Sequence, residues 1–229
     1  MMEMTKLISP VQAYLESGTP MNYQIMQKLP WRRKIWGTHV PASLLDMKRL
    51  KKNGCKIINV MRNPKDQLVS WFNMSNNNLP FHKMEPISHY YPDEWNSFFE
   101  SFVNGQQPQF SKKGEWYPEY ILSWYPYRTE DNVLFVMYEN IKKNPAKEIR
   151  KIADHLGVER SDEEIDQIVE ATSFSSMKKG ASARHVKMKF FRKGEIGDWK
   201  NRFTVAQSEL MDQKFNEKLS DLDIEFKYQ

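Results

Sequence analysis

Two short apolar runs stand out from an otherwise helical alternation of hydrophobic and polar positions. Lys56-Ile57-Ile58-Asn59-Val60-Met61 and Val133-Leu134-Phe135-Val136-Met137-Tyr138 are rich in β-branched and aromatic residues, which predicts two buried strands. Residues 44–52 predict a short helix closed at Asn53-Gly54, where glycine accepts the left-handed backbone that ends a helix. Asn63-Pro64 supplies an N-cap followed by proline at the first helical position, opening a helix to about residue 75. Asn76-Asn77-Asn78-Leu79-Pro80 breaks it, and residues 80–92 read as an irregular loop. Helices are expected at 93–103 and 115–127. Asn144-Pro145 repeats the cap and proline for a helix to Gly157, and Ser161 with Glu164 caps another to Ala171. Thr204 with Gln207 opens a last helix to about Ser220. Strands alternating with helices predict an α/β fold, a parallel sheet with helices on both faces. Two strands are few for such a sheet. No repeat, low-complexity tract or Gly/Ser-rich linker divides the chain, so residues 1–229 are expected to form one domain.

Composition narrows the class. With 229 residues, 40% hydrophobic and 13% aromatic, the chain can build one sizeable core and is not a disordered sequence. No run approaches the roughly eighteen apolar residues of a membrane span, and the first residues carry no secretory h-region. Cys55 is the single cysteine and cannot form an internal disulfide. These features point to a cytoplasmic protein without a membrane partner. The histidines lack zinc spacing and one cysteine cannot build a thiolate site, so no metal is expected. The net charge of +5 suits an anionic partner. Its runs, at Arg32-Arg33-Lys34, Lys48-Arg49, Lys51-Lys52, Lys142-Lys143 and residues 184–193, read mostly as solvated faces. Only the last is joined to a glycine turn. Nucleic-acid binding is the weakest use of this surface.

That turn is Arg192-Lys193-Gly194-Glu195-Ile196-Gly197-Asp198-Trp199-Lys200-Asn201-Arg202-Phe203-Thr204. Two cations before a glycine can aim side-chain charge and backbone N–H groups at one anionic point, of which phosphate is the first candidate. A solvated basic loop is the plainer alternative. A second anion site is expected after the first strand, where Arg62 leaves the strand and the helix starting at Asn63-Pro64 presents free N–H groups. Ser70 lies on the same helical face, two turns along. Here the alternative is that Arg62 pairs with Asp66 and Ser70 fills surface. A lone histidine reads first as structural, and His82, His89, His155 and His185 have no context against that; His39, in Thr38-His39-Val40-Pro41, does, standing before a proline-ended loop upstream of the first strand.

The Arg192–Thr204 block resembles the cofactor signature of cytosolic sulfotransferases, which use 3′-phosphoadenosine 5′-phosphosulfate (PAPS), and other segments follow in family order. Arg62-Asn63-Pro64-Lys65-Asp66 with Ser70 resembles the segment gripping the 3′-phosphate, together with Arg192, Lys193 and Gly194. Phe135–Asn140 followed by Lys142-Lys143-Asn144-Pro145 resembles the strand whose tyrosine, here Tyr138, contacts the adenosine. Thr172-Ser173-Phe174-Ser175-Ser176-Met177 resembles the segment enclosing the adenine. Taken singly, Tyr138, Phe174 and Met177 read as core residues. Thr38-His39-Val40-Pro41 resembles the family segment carrying the base, which implies that role for His39. Lys200-x-x-x-Thr204-Val205-x-x-x-Glu209 matches the family's dimerisation motif, or is simply a helix start with a charged flank.

The resemblance implies a P-loop-like three-layer fold and transfer from PAPS to a hydroxyl or amine of a small acceptor. The product is adenosine 3′,5′-bisphosphate, with no metal and with a homodimer expected. The family's first strand, its Lys-Ser-Gly-Thr-Thr-Trp phosphate loop and the following helix have no counterpart here. Glu16-Ser17-Gly18-Thr19-Pro20 echoes the loop with glutamate in the place of lysine and is rejected as one. Gly37 stands where many members have lysine two residues before the histidine, and the stretch between Thr172 and Arg192 is short for an acceptor loop. The expectation is an N-terminally incomplete sulfotransferase domain that keeps bisphosphate affinity and has little transfer activity. The alternative is an impaired homolog acting as nucleotide binder or dimer partner. A P-loop kinase relative is a third possibility, but no Gly-x-x-x-x-Gly-Lys-Ser/Thr occurs in the sequence.

Overall fold

Ile57 stands opposite Val133 and Met61 opposite Met137 in a parallel pair formed by β1 (Ile57–Met61) and β2 (Val133–Met137). These are the sheet strands among the described residues of this computed structural model, which covers 35–78, 81–107, 112–181 and 191–229. The chain divides into two compact units, one ending at Asp46 and one running from Met47 to Gln229. In the first unit, Val40 N donates to Thr38 Oγ1 at 3.1 Å just ahead of a 3-10 turn at Ala42–Leu44. The echo segment at residues 16–20 lies outside the described residues.

The second unit carries the expected alternation. Helix α1 (Met47–Lys52) leads into β1, and α2 (Pro64–Asn73) follows it. Next come α3 (Trp95–Val103), α4 (Tyr117–Trp124), β2 and α5 (Tyr138–Lys143). The order closes with α6 (Pro145–His155), α7 (Asp162–Ala171), α8 (Phe174–Lys179) and α9 (Val205–Leu219). The core is aromatic. Phe72 of α2 meets Trp95 and Phe98 of α3 edge to face, with centroids 5.4 and 5.1 Å apart, and Trp116 meets Phe215 of α9 at 5.1 Å. Met211, Phe215 and Leu219 repeat every fourth residue and are all buried, the stripe that seats α9 on this core. Each such side chain contributes about 1.5–3 kcal/mol of burial.

Most expected ends move by one or two residues, and the larger differences have identifiable causes. The helix expected at 44–52 begins only at Met47. Helix α2 stops at Asn73 and passes into a π turn over Met74–Asn78. There Ser75 Oγ donates to the carbonyls of Trp71 and Phe72, Asn73 Nδ2 to Val69 O and Asn76 Nδ2 to Phe72 O, so side chains compete for the helix acceptors. The second strand ends at Met137, and Tyr138 opens α5, for which no element was expected. Glu139 in its first turn and Lys142 and Lys143 in its last oppose the helix dipole favourably. Finally, α8 and a 3-10 turn at Asp198–Asn201 were not foreseen.

Candidate functional site

The carboxyl ends of β1 and β2 are pinned together by buried hydrogen bonds. The Tyr117 hydroxyl accepts from Arg62 N at 3.1 Å and donates to Arg62 O at 2.9 Å. Asn63 Oδ1 accepts from Asp66 N at 2.8 Å, the N-cap the sequence predicts. Asn63 N and Nδ2 both donate to Glu139 Oε1, at 2.9 and 3.0 Å, and Glu139 lies two residues past the end of β2. Fixing these two strand ends sets the Arg62 guanidinium over the Tyr138 ring, 4.3 Å from its centroid. Burial pushes the Tyr138 phenol above its usual range, with Arg62 acting in the opposite sense.

The glycine turn docks onto the same strand ends. Arg62 Nη2 donates to Glu195 O at 2.8 Å. Asp66, at the N-terminus of α2, accepts from Gly197 N at 2.7 Å and from Trp199 N at 3.0 Å. The Arg62–Asp66 pair left open by the sequence exists at 4.0 Å, but most of Asp66 serves the turn. Gly194 has φ +69 and lies against Phe174: a Cβ there would sit 2.5 Å from Phe174 Cδ2. Phe174 in turn meets Phe191 edge to face at 5.9 Å. Four separate segments therefore converge, carrying Arg62, Tyr138, Phe174 and the Arg192–Gly194 turn.

Arg192 and Lys193 are both engaged by one acid. Arg192 Nη1 lies 2.6 Å from Asp198 Oδ2, and Lys193 Nζ bonds Asp198 Oδ1. The remaining expected residues are less drawn together. Ser70 is exposed on α2. The Thr172 hydroxyl donates back to Ile168 O at 2.7 Å where α7 ends, and Ser173 caps α8 by accepting from Ser176 N at 3.2 Å. Met177 is exposed on α8. Thr204 and Gln207 form the predicted capping box, with bonds of 3.1 Å each way. Val205 is 75% exposed and Glu209 is exposed, while Lys200 Nζ donates to Gln229 Oε1 at 2.9 Å. His39 belongs to the unit that ends at Asp46 and is exposed there.

Several contacts that build the site gave no sequence signal. Tyr117, Asp66 and Glu139 act across long sequence separations, which spacing arguments do not reach. Lys65 is buried, donates to Ser208 Oγ and Asp212 Oδ2 at 2.7 Å each, and sits between Trp199 and Tyr228, 4.6 and 5.0 Å from their centroids. The final segment braces the turn as well: Trp199 Nε1 donates to Tyr228 O at 3.2 Å and Asn63 Nδ2 to Lys227 O at 3.1 Å.

Parallel strands whose carboxyl ends gather an arginine, a glycine turn and aromatic rings give an α/β protein of the class that takes ligands beyond its strand ends. The chain belongs to the sulfotransferase family: the family model described as sulfotransferase domain matches residues 1–223. Sulfotransferase 1A1 of Mus musculus is 37% identical over 222 residues, which is 93% of this chain and 71% of that relative. Among solved structures, mouse sulfotransferase SULT7A1 complexed with PAP superposes with a TM-score of 0.72 at 33% identity, over 88% of this chain and 71% of that one. Retinol dehydratase in a complex with retinol and PAP shares the fold, with a TM-score of 0.74 at 23% identity over 90% of this chain and 60% of that one. Among the described residues, no helix is long and apolar enough to cross a membrane.

Proposed function

We propose that this chain takes PAPS as donor and passes its sulfuryl group to a hydroxyl or amine of a small molecule. The reading is carried by the meeting of Arg62, Tyr138, Phe174 and the Arg192–Gly194 turn at the strand ends. These parts fit a nucleotide phosphate. Arg62 Nε is buried with no hydrogen-bond partner among the described residues, two more cations stand on the turn, and Gly194 takes a positive φ that brings backbone close. Arg62, Ser70, Arg192, Lys193 and the Gly194 N–H would hold the 3′-phosphate. Tyr138, Thr172, Ser173, Phe174 and Met177 would frame the adenosine, aromatic and thioether groups being suited to a flat base.

The donor supplies a sulfuryl group activated by its bond to phosphate. His39 would accept the acceptor's proton as the acceptor oxygen or nitrogen bonds to sulfur; the phosphate oxygen keeps the electron pair of the broken bond and leaves as adenosine 3′,5′-bisphosphate. The support for His39 is the Thr38-His39-Val40-Pro41 motif. The matched family model, running from residue 1 to 223, supports reading the chain as one sulfotransferase domain. A homodimer through Lys200, Thr204, Val205 and Glu209 is supported by the motif and by the exposure of Val205, and a cytosolic location completes the proposal. A second reading, a homolog that binds the bisphosphate without transferring sulfate, is favoured by Gly37, where many members have lysine.

The test is transfer of label from radiolabelled PAPS to a panel of phenols and aryl amines, beside calorimetric titration with the bisphosphate. Transfer that His39→Ala abolishes supports the enzyme. Binding without transfer selects the second reading, and neither binding nor transfer overturns both.

A further inference from the structure

The basic turn contains its own counter-ion. Asp198 is buried, its side chain 4% exposed, and both carboxylate oxygens are taken. Oδ2 accepts from Arg192 Nη1 at 2.6 Å, while Oδ1 accepts from Lys193 Nζ and from Asn201 Nδ2, the latter at 2.9 Å. The backbone on either side of Asp198 is clamped: Gly197 N and Trp199 N donate to Asp66 at 2.7 and 3.0 Å. Gly197 has φ +84, the left-handed turn that admits the Asp198–Asn201 turn at this point. One buried carboxylate, Asp66, therefore fixes the position of a second, and the second fixes two cations.

We infer that Asp198 is the positioning residue of the phosphate turn, holding the Arg192 and Lys193 side chains in one arrangement and leaving their outer donors to the incoming 3′-phosphate. The inference rests on the proposed function. Its rival is that Asp198 competes with phosphate for the same cations. Geometry decides between them. The Asp198 side chain is buried, whereas those of Arg192 and Lys193 remain 32% and 43% exposed. A guanidinium has five N–H donors and an ammonium three, so the donors given to Asp198 leave others for a ligand. Arginine and lysine also lose much rotamer freedom when a ligand must order them, and Asp198 removes that loss beforehand. Burial opposes charge on this carboxyl, but the hydrogen bonds from Lys193, Asn201 and Arg192 outweigh it and bring it down to about 2. The clamp is thus ionised across the neutral range.

The experiment compares wild type, Asp198→Asn and Asp198→Glu for adenosine 3′,5′-bisphosphate and for adenosine 5′-phosphate, which lacks the 3′ group. Asp198→Asn should weaken the bisphosphate by about tenfold or more and leave the monophosphate within about twofold; Asp198→Glu, which keeps the charge, should recover part of the loss. Equal or tighter bisphosphate binding by Asp198→Asn overturns the inference. A second arm needs no nucleotide: trypsin should cut after Arg192 and Lys193 about tenfold faster in Asp198→Asn than in wild type, read by mass spectrometry. Unchanged cleavage there overturns the inference too. If wild type fails to distinguish the two nucleotides, the proposed function fails, while the cleavage arm still decides the role of Asp198.

Discussion

Gly194→Ala perturbs the site at its tightest point, and Gly54 provides a matched control. Both glycines have φ +69, so an alanine at either meets the same left-handed strain, about 1–2 kcal/mol. They differ in surroundings. A Cβ at Gly54 meets nothing within 4 Å, whereas at Gly194 it would lie 2.5 Å from Phe174 Cδ2 and 2.9 Å from Cε2. Phe174 is half-buried, so the ring can swing away at modest cost in stability. In moving, it leaves the place where an adenine would stack and drags the turn that carries Arg192 and Lys193. The two alanine variants should therefore lose similar stability, each melting about 2–8 °C below wild type. Bisphosphate affinity should separate them. Gly54→Ala should bind as wild type, and Gly194→Ala about ten- to hundredfold weaker, the equivalent of about 1.4–2.7 kcal/mol. Thermal melts and calorimetry on the same samples make the comparison. Wild-type affinity in Gly194→Ala, at a melting point no lower than that of Gly54→Ala, would refute the placement of Phe174 beneath the turn.

Other expectations follow from the same contacts. Arg62→Ala removes a charged bond to Glu195 O and a stack on Tyr138, and should weaken bisphosphate binding by about a hundredfold; Arg62→Lys should recover little, because an ammonium lacks the planar fork. Asp198 sits at about 2 when folded against an ordinary 3.8, so its contribution is present above about pH 4 and lost as pH falls toward 2. That contribution is at most about 2 kcal/mol after discounting for solvent around the paired cations, so the gap in urea midpoint between wild type and Asp198→Asn should be constant from pH 7 to 5 and close below pH 4. A gap unchanged at pH 3 would show that the carboxylate charge is not its source. Val205→Glu should convert a dimer to monomer in sedimentation, since Val205 is 75% exposed at the start of α9. A wild-type monomer, or a dimer that survives the substitution, removes the proposed contact.

What the sequence shows and what it hides divide along a physical line. The caps at Asn63, Asn144, Ser161 and Thr204 were legible because each is a bond between a side chain and a backbone N–H three residues on. The two strands were legible as short apolar runs, and Arg62 and the glycine turn as cations beside backbone that can approach an anion. Helix α5 was hidden because Tyr138 continues an apolar strand pattern, and its packing through Glu139 depends on Asn63. The link between Asp66 and the turn spans the chain from α2 to residue 199, so no local period records it. Asp198 stands near Arg192 in sequence, yet two intervening glycines leave the geometry open until the fold closes it. The polar residues after Phe72 could be read as a helix end, but not as a π turn, because that outcome depends on which side chain captures which carbonyl.

The central claim is that the strand ends and the Arg192–Gly194 turn together recognise a 3′-phosphate on a nucleotide. It is tested most directly by titrating purified residues 1–229 with adenosine 3′,5′-bisphosphate and with adenosine 5′-phosphate under the same buffer and salt. Two or more charge-assisted hydrogen bonds to the 3′ group predict a preference for the bisphosphate of about a hundredfold. Equal affinity for the two nucleotides would contradict the account.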